Sequence, residues 1–431
     1  MDNRSGLLPR GEGESPLSTS SAVPQKRALS ALPVSGAFAL VVFGLWGCLS
    51  IYASRALGES PLYFVERQLL WLVLGTAAFF AAAAIPFRVY RSRSGWLLLC
   101  TMAALLTVLL FGVEINGMKG WFRMGEKTFL QPSEFCKVFF ILWLCVAAER
   151  RYRSEWRRFL TMALPSGLLC LLVMQQPDLG TALLFFLGFL SVYWVAGGTL
   201  LLSLASLLAF SLGTTFFVIL NPYALDRIMG FLDPGGGVAR SAWHVKQFQY
   251  AMAQGGLTGS ESGCALWSNA YLPLPHTDSL YASIVESSGM IGGWIVILAF
   301  VLFAFGLALL SRRKGLSKTA RCFIFCAGLL YVIQALLHIG VNSVLLPTTG
   351  VTLPILSYGG SSLLSTMFAF GMICSASRST SRDSGGGKCK DSGDPDPAEA
   401  ADDGGDGDEK KTEIRIRKWE RQLLYESEYT A

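Results

Sequence analysis

Charge is scarce in this chain, and so is histidine. Of 431 residues only 15% are Asp, Glu, Lys or Arg, where a soluble domain carries about a quarter. Apolar residues make up 52%, and mean hydropathy is +0.45. That composition excludes an ordinary soluble enzyme and describes a polytopic membrane protein. The three histidines, His244, His276 and His338, are too far apart in sequence to pair as ligands, and no cysteine–histidine spacing suits zinc. A phosphate-cradling Gly-x-x-x-x-Gly-Lys-Ser/Thr motif is missing, which argues against nucleotide hydrolysis. The ten cysteines give no disulfide framework. Cys48, Cys100, Cys136, Cys145, Cys170, Cys322, Cys326 and Cys374 fall in apolar runs, where a free thiol acts as a small hydrophobe.

What the chain does have is ten apolar runs, at about 34–54, 68–86, 95–113, 131–148, 160–175, 179–196, 199–220, 280–310, 321–345 and 357–376. A span needs roughly 20 residues, so the fifth and sixth are short, and the eighth is long enough to tilt. The expected fold is all-α: a bundle of about ten transmembrane helices with one long, partly embedded outer loop. Residues 1–33 are polar and Ser/Pro-rich, read as a disordered cytoplasmic segment with no cleaved signal peptide. The membrane region covers 34–376, and a polar tail covers 377–431. Residues 379–408 of the tail are low-complexity. Residues 409–431 fit either an amphipathic helix or a solvated tail.

Basic residues orient the bundle. With the N-terminus inside, the inner connections hold Arg88, Arg91, Arg93, Arg150, Arg151, Arg153, Arg157, Arg158, Arg312, Arg313, Lys314, Lys318 and Arg321, thirteen in all. The short outer ones hold Arg55, Arg67, Lys119, Arg123 and Lys127, five in all. The net charge of +6 is therefore a topology signal and not a nucleic-acid signal. Both termini are expected to be cytoplasmic. The one long outer connection, about 221–279, exceeds the roughly 15 residues beyond which loops are usually functional or disordered.

Four polar motifs interrupt the oily chain, each at the start of an apolar run: Gln131-Pro132-Ser133-Glu134, Gln176-Pro177-Asp178, His276-Thr277-Asp278 and Ser357-Tyr358-Gly359-Gly360-Ser361. All four fall at the outer ends of spans in this topology. Polar groups are costly in lipid, so a chain that keeps them tends to use them. Each motif also has a structural reading. Asp278 and Asp178 suit helix N-caps, Glu134 and Lys137 suit an i, i+3 ion pair, and Ser357–Ser361 suits close helix packing or an anion site. In its functional reading Asp278 is a carboxylate at the membrane interface that takes a proton from an incoming hydroxyl. Glu286, two turns further on, is a site candidate or a structural hydrogen-bonder.

Taken in order, these motifs resemble the FtsW/RodA/SpoVE (SEDS) family of bacterial membrane glycosyltransferases. The resemblance runs from about Tyr63 to Gly371. It includes Phe64-Val65-Glu66-Arg67-Gln68, Gly117 with Trp121, Gln131-Pro132-Ser133-Glu134 with Lys137, and Gln176-Pro177-Asp178-Leu179-Gly180-Thr181. It continues through Arg227, Gln247, Gly255-Gly256-Leu257, His276-Thr277-Asp278, Glu286 and Ser357-Tyr358-Gly359-Gly360-Ser361. The resemblance implies polymerisation of lipid II into peptidoglycan strands at the outer face of the inner membrane, for division or elongation. It makes Asp278 the catalytic residue. Substrate contacts are expected at Arg67, Glu134, Lys137, Asp178, Arg227, Lys246, Gln247, His276, Thr277, Glu286, Ser357, Gly359, Gly360 and Ser361. Among these, Arg67, Lys137, Arg227 and Lys246 are candidates to stabilise the pyrophosphate leaving group. No protein metal site is expected, although a divalent cation, magnesium or manganese, could take the same part. The implied partners are a class B penicillin-binding protein and other division or elongation proteins. A lipid II transporter or a non-catalytic scaffold are the rival readings. The sequence departs from the family pattern at Gly120, Glu261, Leu274, Ser287 and His338.

Overall fold

The computed structural model describes residues 22–53, 61–115, 117–123, 129–235, 241–260 and 265–380. Of the tail expected at 377–431, residues 381–431 lie outside the described residues, as do residues 1–21 and Glu261.

A long helix covers each of the ten apolar runs: α1 (Ala22–Ala53), α2 (Pro61–Ala84), α3 (Phe87–Phe111), α4 (Pro132–Ala148), α5 (Glu155–Met174), α6 (Leu179–Val195), α7 (Leu200–Leu220), α11 (Leu280–Ser311), α12 (Lys318–Asn342) and α13 (Gly360–Ser377). Eight are long and apolar enough to cross a membrane. The other two, α4 and α6, have 17 residues each, about 26 Å at the helical rise. Both are largely buried, packed against each other and against α12. By contrast α7 buries only Ser203, so its apolar surface is left to face lipid. α1 begins at Ala22, inside the stretch expected to be disordered. Ala22, Gln25, Lys26, Arg27, Ala28 and Leu29 are good helix formers, and they extend the first span at its N-terminal end.

Polar residues set the helix starts. Pro132 stands at the first turn of α4, where its missing N–H costs nothing. The Ser154, Asp178 and Ser317 side chains accept from the N–H groups of Arg157, Thr181 and Ala320, capping α5, α6 and α12.

Two connections are structured. Between α3 and α4 lies a small antiparallel sheet, β1 (Val113–Ile115), β2 (Met118–Arg123) and β3 (Phe129–Leu130), in the order β1-β2-β3, which the all-α expectation did not include. Its turn uses Gly117 at φ +79, where a Cβ would meet the Tyr223 ring at 2.9 Å. The long connection folds into α8 (Pro222–Leu232), α9 (Ser241–Gly255) and α10 (Leu266–Ala270). It is joined to α11 through a break in that helix. Gly289 adopts φ 71 and ψ −176, which opens one turn. The Met290 N–H then donates to Gly256 O at 2.9 Å and the Ile291 N–H to Leu257 O at 3.3 Å. Gly255 backs directly onto the Val285 carbonyl, with no room for a side chain. The eighth span is thus two helices meeting at a break, not one tilted rod, and the Gly-rich stretch fills the break.

Candidate active site

Asp278 sits in the turn that leads into α11. The turn is tightly held. The Asn342 side chain on α12 donates to the Asp278 carbonyl at 2.9 Å and accepts from the Ala282 N–H at 3.0 Å. The Ser279 hydroxyl donates to Pro273 O. Leu274 takes φ 46, a costly conformation for a branched residue that persists only where its surroundings enforce it. Asn342 itself is fully buried.

The four motifs converge on this turn. The Tyr358 N–H donates to His276 O at 2.8 Å, and the Ser357 hydroxyl donates to Thr277 O at 2.9 Å. The Gln131 N–H donates to the Ser361 hydroxyl at 3.0 Å. Asp178 is close enough for its charge to act on Asp278. Arg227 on α8 acts on Asp278 with the opposite sign. Its guanidinium donates to Thr348 O at 3.3 Å and to the Tyr223 hydroxyl, over whose ring it stacks at 4.6 Å. Gly350 faces the Asp278 carboxylate: a Cβ there would stand 3.9 Å from Oδ2.

Electrostatics set Asp278 apart. Loss of water around the carboxyl pushes its pKa up to about 6, against the pull of Arg227 and with a further push from Asp178. Asp178 is itself raised, chiefly by burial. Burial holds His276 down, at about 4, so the ring is neutral. That ring stacks on Phe64 at 4.0 Å.

Beside the turn is a cavity of about 490 Å³ lined by Phe64, Trp243, Tyr271, His276 and residues 268–275. His276 Nδ1 and Asn269 Oδ1, both on lining residues, are buried without a hydrogen-bond partner. The hydroxyls of Thr348 and Thr349, next to Gly350, are buried and unpartnered too. Buried polar atoms nearly always find partners. Two orphans on the walls of one cavity, His276 Nδ1 and Asn269 Oδ1, mark a place that receives a polar ligand. Aromatic walls and scattered hydrogen-bonding groups suit a sugar.

Other expected contacts have structural occupations. Lys137 is fully buried and bonds to Glu134 Oε1 and Gln334 Oε1, each at 2.9 Å, so this pair is internal wiring between α4 and α12. Glu286 is fully buried and accepts from the backbone N–H groups of Trp267 and Ser268 and from the Ser268 hydroxyl. It therefore caps α10 and is not presented to a ligand. Gln247 accepts from the Trp267 indole at 3.1 Å. Gly360 packs against Trp71 with no space for a Cβ, which is the helix-packing reading of that motif, and Gly359 is the N-cap position of α13. Arg67 lies over Tyr63 at 4.6 Å, three residues along α2 from the cavity side chain Phe64. Lys246 is half-buried on α9.

A divalent cation finds little here. Asp178 Oδ1 is occupied by the Thr181 N–H at 3.0 Å. Among the described residues no third Asp, Glu, His or Cys joins Asp178 and Asp278 in a ligand cluster. The residues present do not fit a protein-held cation.

Sequence reasoning missed Asn342, Tyr223 and Gln334, and quoted Phe64 within the Phe64–Gln68 motif without giving it a role in the site. Asn342 and Gln334 carried a usable signal, being polar residues deep in an apolar run. Tyr223 carried none, because aromatics are common at span ends.

Comparison with known proteins places the chain in a family. The FtsW/RodA/SpoVE family, described as "Cell cycle protein", matches residues 31–382. A Coxiella burnetii protein named "Probable peptidoglycan glycosyltransferase FtsW" is 34% identical over 325 residues, 73% of this chain and 86% of that one. An Idiomarina loihiensis protein of the same name is 30% identical over 78% of this chain and 84% of that one. A solved chain described as "Structural coordination of polymerization and crosslinking by a peptidoglycan synthase complex" superposes with a TM-score of 0.67 at 26% identity, covering 80% of this chain and 97% of that chain. Thermus thermophilus rod shape determining protein RodA shares the fold, with a TM-score of 0.60 at 24% identity over 80% of this chain and 96% of that chain. With its four motifs gathered around Asp278 and the match running through the whole bundle, this chain belongs to the FtsW/RodA/SpoVE family.

Proposed function

We propose that this multi-pass membrane protein is a peptidoglycan glycosyltransferase that polymerises lipid II at the outer face of the bacterial inner membrane, with Asp278 as general base. The observation that carries the reading is Asp278 itself, held by Asn342 at the mouth of α11, raised to about 6 and facing Gly350. A carboxyl of that pKa is ionised at neutral pH yet more basic than an ordinary aspartate, which suits proton removal from a hydroxyl. The acceptor oxygen loses its proton to Asp278 as it attacks the donor anomeric carbon. The bond from that carbon to the pyrophosphate oxygen breaks, and the electron pair leaves with the pyrophosphate. Arg227 is the cation placed to offset that charge. The sugar lies against the cavity walls, where His276 Nδ1 and Asn269 Oδ1 find partners.

Both termini are cytoplasmic in this reading, which follows from the basic residues of the inner connections. The partner is a class B penicillin-binding protein that crosslinks the new strand, in keeping with the synthase complex to which the fold is similar.

Purified protein incubated with labelled lipid II and its partner transpeptidase tests the proposal. Glycan ladders from the wild type, and none from a well-folded Asp278→Asn variant, are expected. Ladders of equal yield from the variant would refute the catalytic role, and no ladders from either would favour a scaffold or a transporter.

A further inference from the structure

At the end of the bundle opposite Asp278, three thiols meet. Cys145 lies in the last turn of α4, and Cys322 and Cys326 occupy successive turns at the start of α12. α11 runs from the Asp278 turn to Ser311, and a short connection there returns the chain to α12, which places the cluster at the far end. All three Sγ atoms lie within 4.8 Å of one another, and Cys322 Sγ stands 3.9 Å from Cys326 Sγ. Cys145 and Cys326 are buried, and Cys322 is half-buried, so the cluster has one open side. Glu149, just beyond the end of α4, is held there by the Thr319 hydroxyl.

We propose that Cys145, Cys322 and Cys326 form a binding site for a thiophilic closed-shell cation, Zn²⁺ or Cu⁺. Zinc–thiolate bonds of about 2.3 Å in a tetrahedron set the sulfurs about 3.8 Å apart. The Cys322–Cys326 pair already stands at that separation. The i, i+4 spacing puts both on one face of α12, and Cys145 supplies the third ligand from a different helix. Soft sulfur ligands select these cations over magnesium or calcium. Binding exchanges one proton per coordinating thiol for the metal, with no change of oxidation state. Three thiolates around Zn²⁺ leave one net negative charge, and the half-exposed side leaves a fourth position for water. A bound ion would tie α4 to α12 at this end. The other ends of these two helices hold Glu134, Lys137, Gln334 and Asn342, the residues that wire the site together.

The full chain, purified under reducing conditions without a polyhistidine tag, decides the matter. Metal content by mass spectrometry comes first, followed by Co²⁺ substitution read by its thiolate charge-transfer absorption. Competition titrations use a zinc chelator in one arm and a cuprous chelator in the other. The expected result is one equivalent bound per chain in one arm, with affinity falling by about tenfold or more in Cys326→Ser and in Cys145→Ser. Cys100→Ser, an exposed thiol outside the cluster, should match the wild type. No metal retained or taken up by the wild type would overturn the proposal. So would an unchanged Co²⁺–thiolate band in a folded triple Ser variant, or an intact mass showing a disulfide among the three.

Discussion

The acid limb of the polymerisation rate is the most direct reading of Asp278. With its pKa at about 6, about nine-tenths of the carboxyl is ionised at pH 7 and about a tenth at pH 5. As a base it works only when ionised, so activity rises with pH through about 6. The Arg227 guanidinium holds that value down against burial. In Arg227→Gln the cation is gone, and a neighbouring opposite charge lowers a carboxyl by about one pH unit or more. The limb should therefore move upward by about one pH unit, and at pH 7 the ionised fraction should fall to about half. Initial rates of lipid II consumption across about pH 5 to 9 locate the limb. Its position is independent of any uniform loss of turnover caused by removing Arg227 from the leaving group. A wild-type limb at the ordinary aspartate value would refute the burial argument. A limb that stays put or moves downward in Arg227→Gln would refute the coupling.

Asn342→Ala removes the hydrogen bonds to the Asp278 carbonyl and the Ala282 N–H. It should lower kcat by about tenfold to a hundredfold through misplacement of the turn, with KM and detergent-solubilised folding little changed, as read by steady-state kinetics and size exclusion. Glu286→Gln sets an amide N–H₂ against the N–H donors that Glu286 now satisfies. A stability loss of about 1–3 kcal/mol is expected in thermal unfolding, while the folded fraction keeps its KM for lipid II; a raised KM would return Glu286 to the list of substrate contacts. Lys137→Met strands the buried Glu134 charge, at a cost of about 3–5 kcal/mol. Adding Glu134→Gln should recover most of that loss, and an equally unstable double variant would refute the internal-pair reading.

Much of the fold was legible because lipid enforces a simple rule: a span must be apolar and about 20 residues long. Every expected run became a helix, even the 17-residue α4 and α6, whose burial among neighbours the run lengths did not reveal. The motif positions were legible for the same reason, since polar residues stand out against an apolar background. Their division of labour was not. Glu134 and Glu286 stood beside Asp278 as expected substrate contacts, yet one is paired with Lys137 and the other caps α10. That difference rests on which distant backbone or side chain reaches each carboxylate.

The sequence by itself determined the class of protein and the ten helices, because both follow from local composition; the outer-face placement of the motifs is the expectation from its basic residues, and Asp278 stood out as the leading carboxylate through the family resemblance. Only the tertiary structure decided the break at Gly289, the docking of the Gly-rich stretch into it, the grip of Asn342 on the Asp278 turn and the meeting of three thiols across α4 and α12. Those contacts join residues far apart in the chain, and no local pattern encodes which of two distant surfaces will face each other.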